Sequence, residues 1–200
     1  LRARVGRLRT NDPVTQTSAA PLPLTADLLD GLSERIGHRF ADAELLRRAM
    51  AHRSWCAEHP GNLSNERLEF LGDAVLGWMI ADIAYREHQE LPEGKLTDLR
   101  KSVVNASALA EVAAAIDLGP CLLLGKGESA AGGRLKPSIL SDALEAVIGA
   151  VYLVNQQHRA GRGRLQRLQQ GAADEIAVLV DLCFDIARGS GRGRYRAAAG

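Results

Sequence analysis

Apolar residues recur every three or four positions through most of the chain, the period of an amphipathic helix. Leu28, Leu29, Leu32 and Ile36 share one face, and Gly37 ends that helix. Asp42 suits the N-cap of a second helix whose apolar side is Leu45, Leu46, Ala49 and Met50. Pro60-Gly61-Asn62 predicts a loop. Ser64 or Asn65 then caps a long helix to about His88, with Leu68, Leu71, Val75, Met79 and Ile83 as its buried stripe. Leu91-Pro92-Glu93-Gly94 breaks the pattern, and shorter helices follow at 95–104 and 106–116 before Gly119-Pro120. Residues 125–136 read as a Gly-rich loop. Lys136-Pro137-Ser138 opens a last long helix through Ile139, Leu140, Leu144, Val147, Ile148 and Val151. The run Cys121–Leu124 is the single strand candidate, and it lacks a partner.

The pattern therefore predicts an all-α domain over 27–155, a helical bundle. A Thr/Ser/Pro/Arg-rich N-terminal tail over 1–26 precedes it. Residues 156–200 have another texture: Arg/Gln/Gly-rich first, then one amphipathic helix over about 172–187 that reads as core-packing, then a Gly/Arg/Ala tail.

Composition narrows the function. Of 200 residues, 46% are hydrophobic and 24% charged, a balance that excludes a wholly disordered chain. Aromatics at 4% argue against a base-stacking platform for single strands. No run of about 18 apolar residues predicts a membrane span, and the N-terminus lacks the apolar stretch of a secretory signal. Cys56, Cys121 and Cys183 are widely spaced and form no disulfide framework, which fits a reducing, cytoplasmic setting. The net charge of +1 hides an acidic middle: residues 26–155 carry 19 acidic and 13 basic side chains, and both ends are basic. A broad cationic face for nucleic acid is excluded. A polyanion can still bind where acids cluster and a metal neutralises them.

The spacing of the acids carries the chemistry. On a helical wheel Glu66, Glu69 and Asp73 fall within about 60° of one another, opposite Leu68, Leu71 and Val75. Like charges at i,i+3 and i,i+4 repel by a few tenths of a kcal/mol per pair, so the crowding brings no stability. A solvated acidic stripe is the plainest reading of such a triplet alone. The last long helix repeats the device with Asp142 and Glu145, three apart. Gly77 and Gly149 follow one turn beyond each acidic set, and glycine costs about 1 kcal/mol in a helix interior. Close approach of the two helices at these glycines would bring Glu69, Asp73, Asp142 and Glu145 together. Four such carboxylates need cations to stay ionised. All-oxygen ligands select Mg²⁺ or Mn²⁺ over zinc. Such ions activate water and stabilise phosphoryl charge, which points to a metal-dependent phosphodiester or phosphate hydrolase.

The stretch Asn65–Leu76, NERLEFLGDAVL, resembles the signature of the ribonuclease III family. Residues 35–54, 92–100 (PEGKLTDLR) and 122–145 (LLLGKGESAAGGRLKPSILSDALE) resemble, in order, its N-terminal helices, its central motif and its second acidic motif. The resemblance covers about 28–154. It implies an endonuclease domain that forms a homodimer and cleaves double-stranded RNA to 5′-phosphate and 3′-hydroxyl ends, in rRNA or mRNA processing. Glu69, Asp73, Asp142 and Glu145 would be the metal ligands, with Asp73 and Glu145 catalytic and Mg²⁺ the ion (Mn²⁺ able to substitute). Glu66 and Glu93 match accessory acids, Phe70 matches the aromatic that inserts into the partner subunit, and Lys136 falls where a basic residue approaches the RNA. No double-stranded-RNA-binding domain is recognised in 156–200, so RNA binding is expected to be weak and steeply salt-dependent. Two other readings stand beside the enzyme: a non-catalytic double-stranded-RNA-binding dimer, and a minimal nuclease restricted to one structured RNA.

Three further patterns carry less. Gly125-Lys126-Gly127 with Ala130 mimics a dinucleotide loop, but no βαβ unit surrounds it, so no nucleotide cofactor is expected. His52, Cys56 and His59 lack a fourth zinc ligand. Ser54 near His52 lacks an orienting acid for a hydrolytic triad.

Overall fold

Local capping fixes where the first helices begin. The structure, a computed structural model, describes residues 24–40, 42–159, 179–181 and 183. Helix α1 spans Ala26–Arg35, and the Thr25 hydroxyl accepts the Leu28 N–H at its start. Helix α2 spans Ala43–Ala49, and the Asp42 carboxylate accepts the Glu44 N–H at 2.9 Å. The remaining helices are α3 (Arg53–Glu58), α4 (Glu66–Glu87), α5 (Glu93–Val103), α6 (Ala106–Ala115), α7 (Lys126–Ala130) and α8 (Pro137–Arg159). Among the described residues there is no strand.

Four local features differ from the sequence expectation. Helix α3 was not foreseen, because its six residues include none that is buried and so show no apolar stripe. The stretch 125–136 is not a loop throughout: it forms α7 and a 3-10 turn at Gly133–Leu135, with Gly132 at φ 77° joining them. Asn65 sits at the start of α4, but its side chain caps nothing. It is buried, its amide donates to the Ala49 carbonyl at 3.3 Å, and its N–H donates to Ala51, so it ties α4 to the end of α2. The strand candidate becomes a 3-10 turn at Gly119–Cys121 and one parallel bridge between Leu123 and Ala51.

The centre of the domain is the crossing of α4 and α8, with α6 packed on α8. Leu68, Leu76, Ile80, Leu144 and Ile148 are almost wholly buried there. Each contributes on the order of 2 kcal/mol by burial. Helix α8 is long and apolar enough over Pro137–Val154 to cross a membrane by length and composition, against the sequence expectation, yet 67% of that stretch is buried inside the domain as its core helix. The close contact is made by Gly72 and Gly149. A Cβ on Gly72 would overlap the Glu145 carbonyl oxygen, and one on Gly149 would overlap that of Leu68. Gly77, the sequence candidate for this contact, has nothing within 4 Å of its Cβ position.

Of the helix expected over 172–187, residues 179–181 and 183 are described: Leu179, Val180 and Cys183 are buried in the same core, and Asp181 is exposed. Burial pushes the Cys183 thiol up to about 12. The rest of that helix, residues 1–23 of the expected N-terminal tail and the expected C-terminal tail lie outside the described residues, whereas Thr25 and Ala26 already belong to the start of α1.

Candidate metal centre and adjoining cleft

The Gly72–Gly149 contact sets the position of the acids. Glu69 on α4 and Asp142 and Glu145 on α8 each offer a carboxylate oxygen, and these oxygens all lie within 4.8 Å of one another. All three residues are half-buried. Burial pushes the Glu145 carboxyl up to about 7, and the charges of Asp73, Asp142 and Glu69 add to the effect. Glu69 is raised as well, first by burial and then by Asp142 and Glu66, with Arg53 opposing. Two carboxyls driven toward the neutral form mark excess negative charge in a partly dry place. The donor set is all oxygen, so the residues fit a hard divalent cation.

The fourth expected ligand stands apart. Asp73 is exposed and lies outside the trio, although its charge is the largest neighbouring influence on Glu145. It lines a separate depression with Ala74, Gly77, Trp78, Arg100 and Lys101. Glu66 is exposed and accepts the Ser64 hydroxyl at 2.7 Å, close enough for its charge to raise Glu69. Glu93 opens α5, exposed, and accepts the Thr97 hydroxyl at 2.9 Å; it is not among the charges acting on Glu69 or Glu145. Lys136 pairs with Glu128 at 3.4 Å.

Beside the trio runs a cleft that shares Glu69 and Asp142 with it and is lined further by His52, Arg53, Ser54, Glu128, Lys136 and Ser138. Two interhelix bonds build its wall: the Gly125 N–H donates to Ser54 Oγ at 2.9 Å, and the Lys126 N–H donates to Glu58 Oε1 at 2.7 Å. Sequence reasoning met His52 and Ser54 only as fragments of a zinc site or a triad. Their place in the cleft depends on α3 packing against α7, two elements too short to leave a period.

Phe70 is 79% exposed, so it is not a core residue. It begins a stripe on α4 with Ala74, Gly77, Ala81 and Tyr85, and Trp78 flanks it; Tyr85 is 73% and Trp78 42% exposed. The sequence reading singled out Phe70 alone. The recurrence of aromatics at helical spacing off the core face was the signal for the other two.

A family model described as Ribonuclease-III-like matches residues 42–168. The chain is 51% identical over 142 residues to Ribonuclease 3 of Streptomyces coelicolor, covering 71% of this chain and 50% of that protein. It is 56% identical over 113 residues to Ribonuclease 3 of Nocardia farcinica, covering 55% and 47%. It thus spans about half the length of these curated relatives. Among solved structures it is similar to the nuclease domain of ribonuclease III from Campylobacter jejuni, described as flexible in a region involved in dimer formation. That match has 33% identity and a TM-score of 0.65, over 78% of this chain and 96% of the other.

Proposed function

The chain belongs to the ribonuclease-III-like family, and from that premise we propose that it hydrolyses phosphodiester bonds in double-stranded RNA, leaving 5′-phosphate and 3′-hydroxyl ends. The observation that carries this reading is the meeting of Glu69, Asp142 and Glu145 from two helices, oxygens within 4.8 Å. These three residues would hold Mg²⁺, with Mn²⁺ as a substitute, and Asp73 would act on the site through its charge on Glu145. When bound, such an ion supplies Lewis acidity at water and at the phosphoryl oxygens. The residues do the rest. With its carboxyl raised to about 7, Glu145 would release a proton as the trio took up an ion. Glu145 is the catalytic residue of this reading, and Asp73, which the family resemblance pairs with it, acts through Glu145. Lys136 and Arg53 offer cationic donors along the cleft where an RNA strand would lie.

The same reading includes a homodimer. The exposed aromatic stripe of α4 begins at Phe70, beside Glu69, and a second copy would cover it. Each copy would then contribute one trio to one strand. Precursors of rRNA and mRNA in the cytoplasm are the substrates proposed.

The test is Glu145→Gln on a 5′-labelled RNA duplex of about 30 base pairs with Mg²⁺. Cutting is expected to vanish while duplex binding persists. Cleavage at the wild-type rate by the variant, purified free of host nuclease, overturns the reading.

A further inference from the structure

The ring of His52 is held in one orientation and one tautomer at the side of the cleft. The Ser54 N–H points at His52 Nδ1 at 3.3 Å, and an N–H can only donate, so Nδ1 is an acceptor. Ser54 Oγ lies 2.8 Å from the same nitrogen and accepts from the Gly125 N–H at 2.9 Å; with Nδ1 an acceptor, the Ser54 hydroxyl is the donor of the Oγ–Nδ1 bond. This network assigns the one proton of a neutral imidazole to Nε2. The wall behind it has no slack: a Cβ on Gly125 would lie 2.6 Å from the Ser54 carbonyl oxygen. His52 shares the cleft with Arg53, Lys136, Glu69 and Asp142.

Building on the RNA-cutting reading, we propose that His52 positions the substrate, its neutral imidazole donating a hydrogen bond from Nε2 to a non-bridging phosphate oxygen of the strand lying in this cleft. Burial lowers the affinity of His52 for a second proton, outweighing the opposite pull of Glu128, so the ring stays a single-proton donor. A donor fixed before the substrate arrives loses little freedom on binding. Beside Glu66, Glu69, Glu128 and Asp142, which all line the cleft, a further cation would pair with an acid, as Lys136 does with Glu128. A neutral N–H stays available for the phosphate. Capping α3 does not explain the imidazole, because Asn, Ser or Asp caps as well or better.

Two variants separate positioning from capping. His52→Asn keeps an acceptor for the Ser54 N–H and loses the Nε2 donor. His52→Gln restores an N–H at the reach of Nε2 and weakens the cap. Duplex affinity is measured with Glu145→Gln as background, and KM and kcat with Glu145 intact. His52→Asn is expected to keep the wild-type Tm within about 2 °C, to weaken duplex binding about tenfold, and to raise KM by a similar factor. The dependence of log Kd on log salt should be unchanged, since no charge is removed. His52→Gln should regain most of the affinity. Wild-type affinity in His52→Asn, a reduced salt slope, or a His52→Gln variant no better than His52→Asn overturns the assignment to His52 and leaves the nuclease reading standing. A wild-type chain that cuts no duplex RNA overturns both.

Discussion

Glu145→Gln should stabilise the metal-free protein at alkaline pH, and the gain should disappear in acid. The Glu145 carboxyl rises from its ordinary 4.5 to about 7 in the folded chain. The folded state therefore binds more protons than the unfolded one between those values. Metal-free stability falls as pH climbs through that window and levels off above it. A shift of this size corresponds to about 3 kcal/mol in a dry site. Glu145 is only half-buried, and solvent screening reduces the figure to on the order of 1–2 kcal/mol. Glutamine keeps the shape and carries no charge, so at pH 8 in EDTA it recovers that amount. For a domain of this size the gain is roughly 3–8 °C in Tm. At pH 4.5 the wild-type carboxyl is already neutral when folded, and the two proteins should melt together. Thermal denaturation followed by circular dichroism at both pH values reads the difference. A variant no more stable than wild type at pH 8, or equally stabilised at both values, refutes the account of Glu145 as a strained acid.

Three other outcomes follow from the same geometry. Gly72→Ala places a methyl on the Glu145 carbonyl and should cost about 3 kcal/mol or prevent folding, whereas Gly77→Ala meets nothing and should gain a few tenths; chemical denaturation compares them. Mg²⁺ or Mn²⁺ affinity, measured by calorimetry, should weaken up to about tenfold per pH unit below 7 and flatten above it, with close to one proton released per ion near pH 6, because the ion displaces the Glu145 proton. Phe70→Ala should weaken self-association roughly 10³-fold, since the ring is lost from both copies of the interface; sedimentation velocity reads the monomer fraction.

The longer helices of the bundle were legible because their apolar stripes exceed two turns, and the seven-residue α2 because Asp42 marks its start. The acids were legible because carboxylates three and four apart oppose the core face. Gly149, the contact glycine of α8, was legible too, but that of α4 was not. On the α4 wheel Gly77 falls within roughly 20° of Glu66, whereas Gly72 falls between the acidic face and the Leu68 stripe, at about 240°. The sequence reading chose the glycine on the acidic face. The helices meet at the edge of that face. For the same reason Glu69, nearer the edge, joins the trio, and Asp73, farther round, does not. Helices α3 and α7 were illegible for another reason. They are six and five residues long, bury no side chain, and exist through the Ser54–Gly125 and Glu58–Lys126 bonds across about 70 positions of sequence.

The edge position also explains how the fold tolerates a cluster that repels itself. Had the acids lain over the middle of the crossing, their charge would sit in the core, and burial there would cost several kcal/mol per ion. At the edge they are half-buried: dry enough to raise Glu145 and wet enough to be tolerated. Beneath them Leu68, Leu76, Leu144 and Ile148 hold α4 against α8 by burial alone. That apolar seam does not depend on metal. The fold therefore supplies the strain, and a cation that entered would find carboxylates already gathered and short of counter-charge, so its binding would relieve what the crossing imposes.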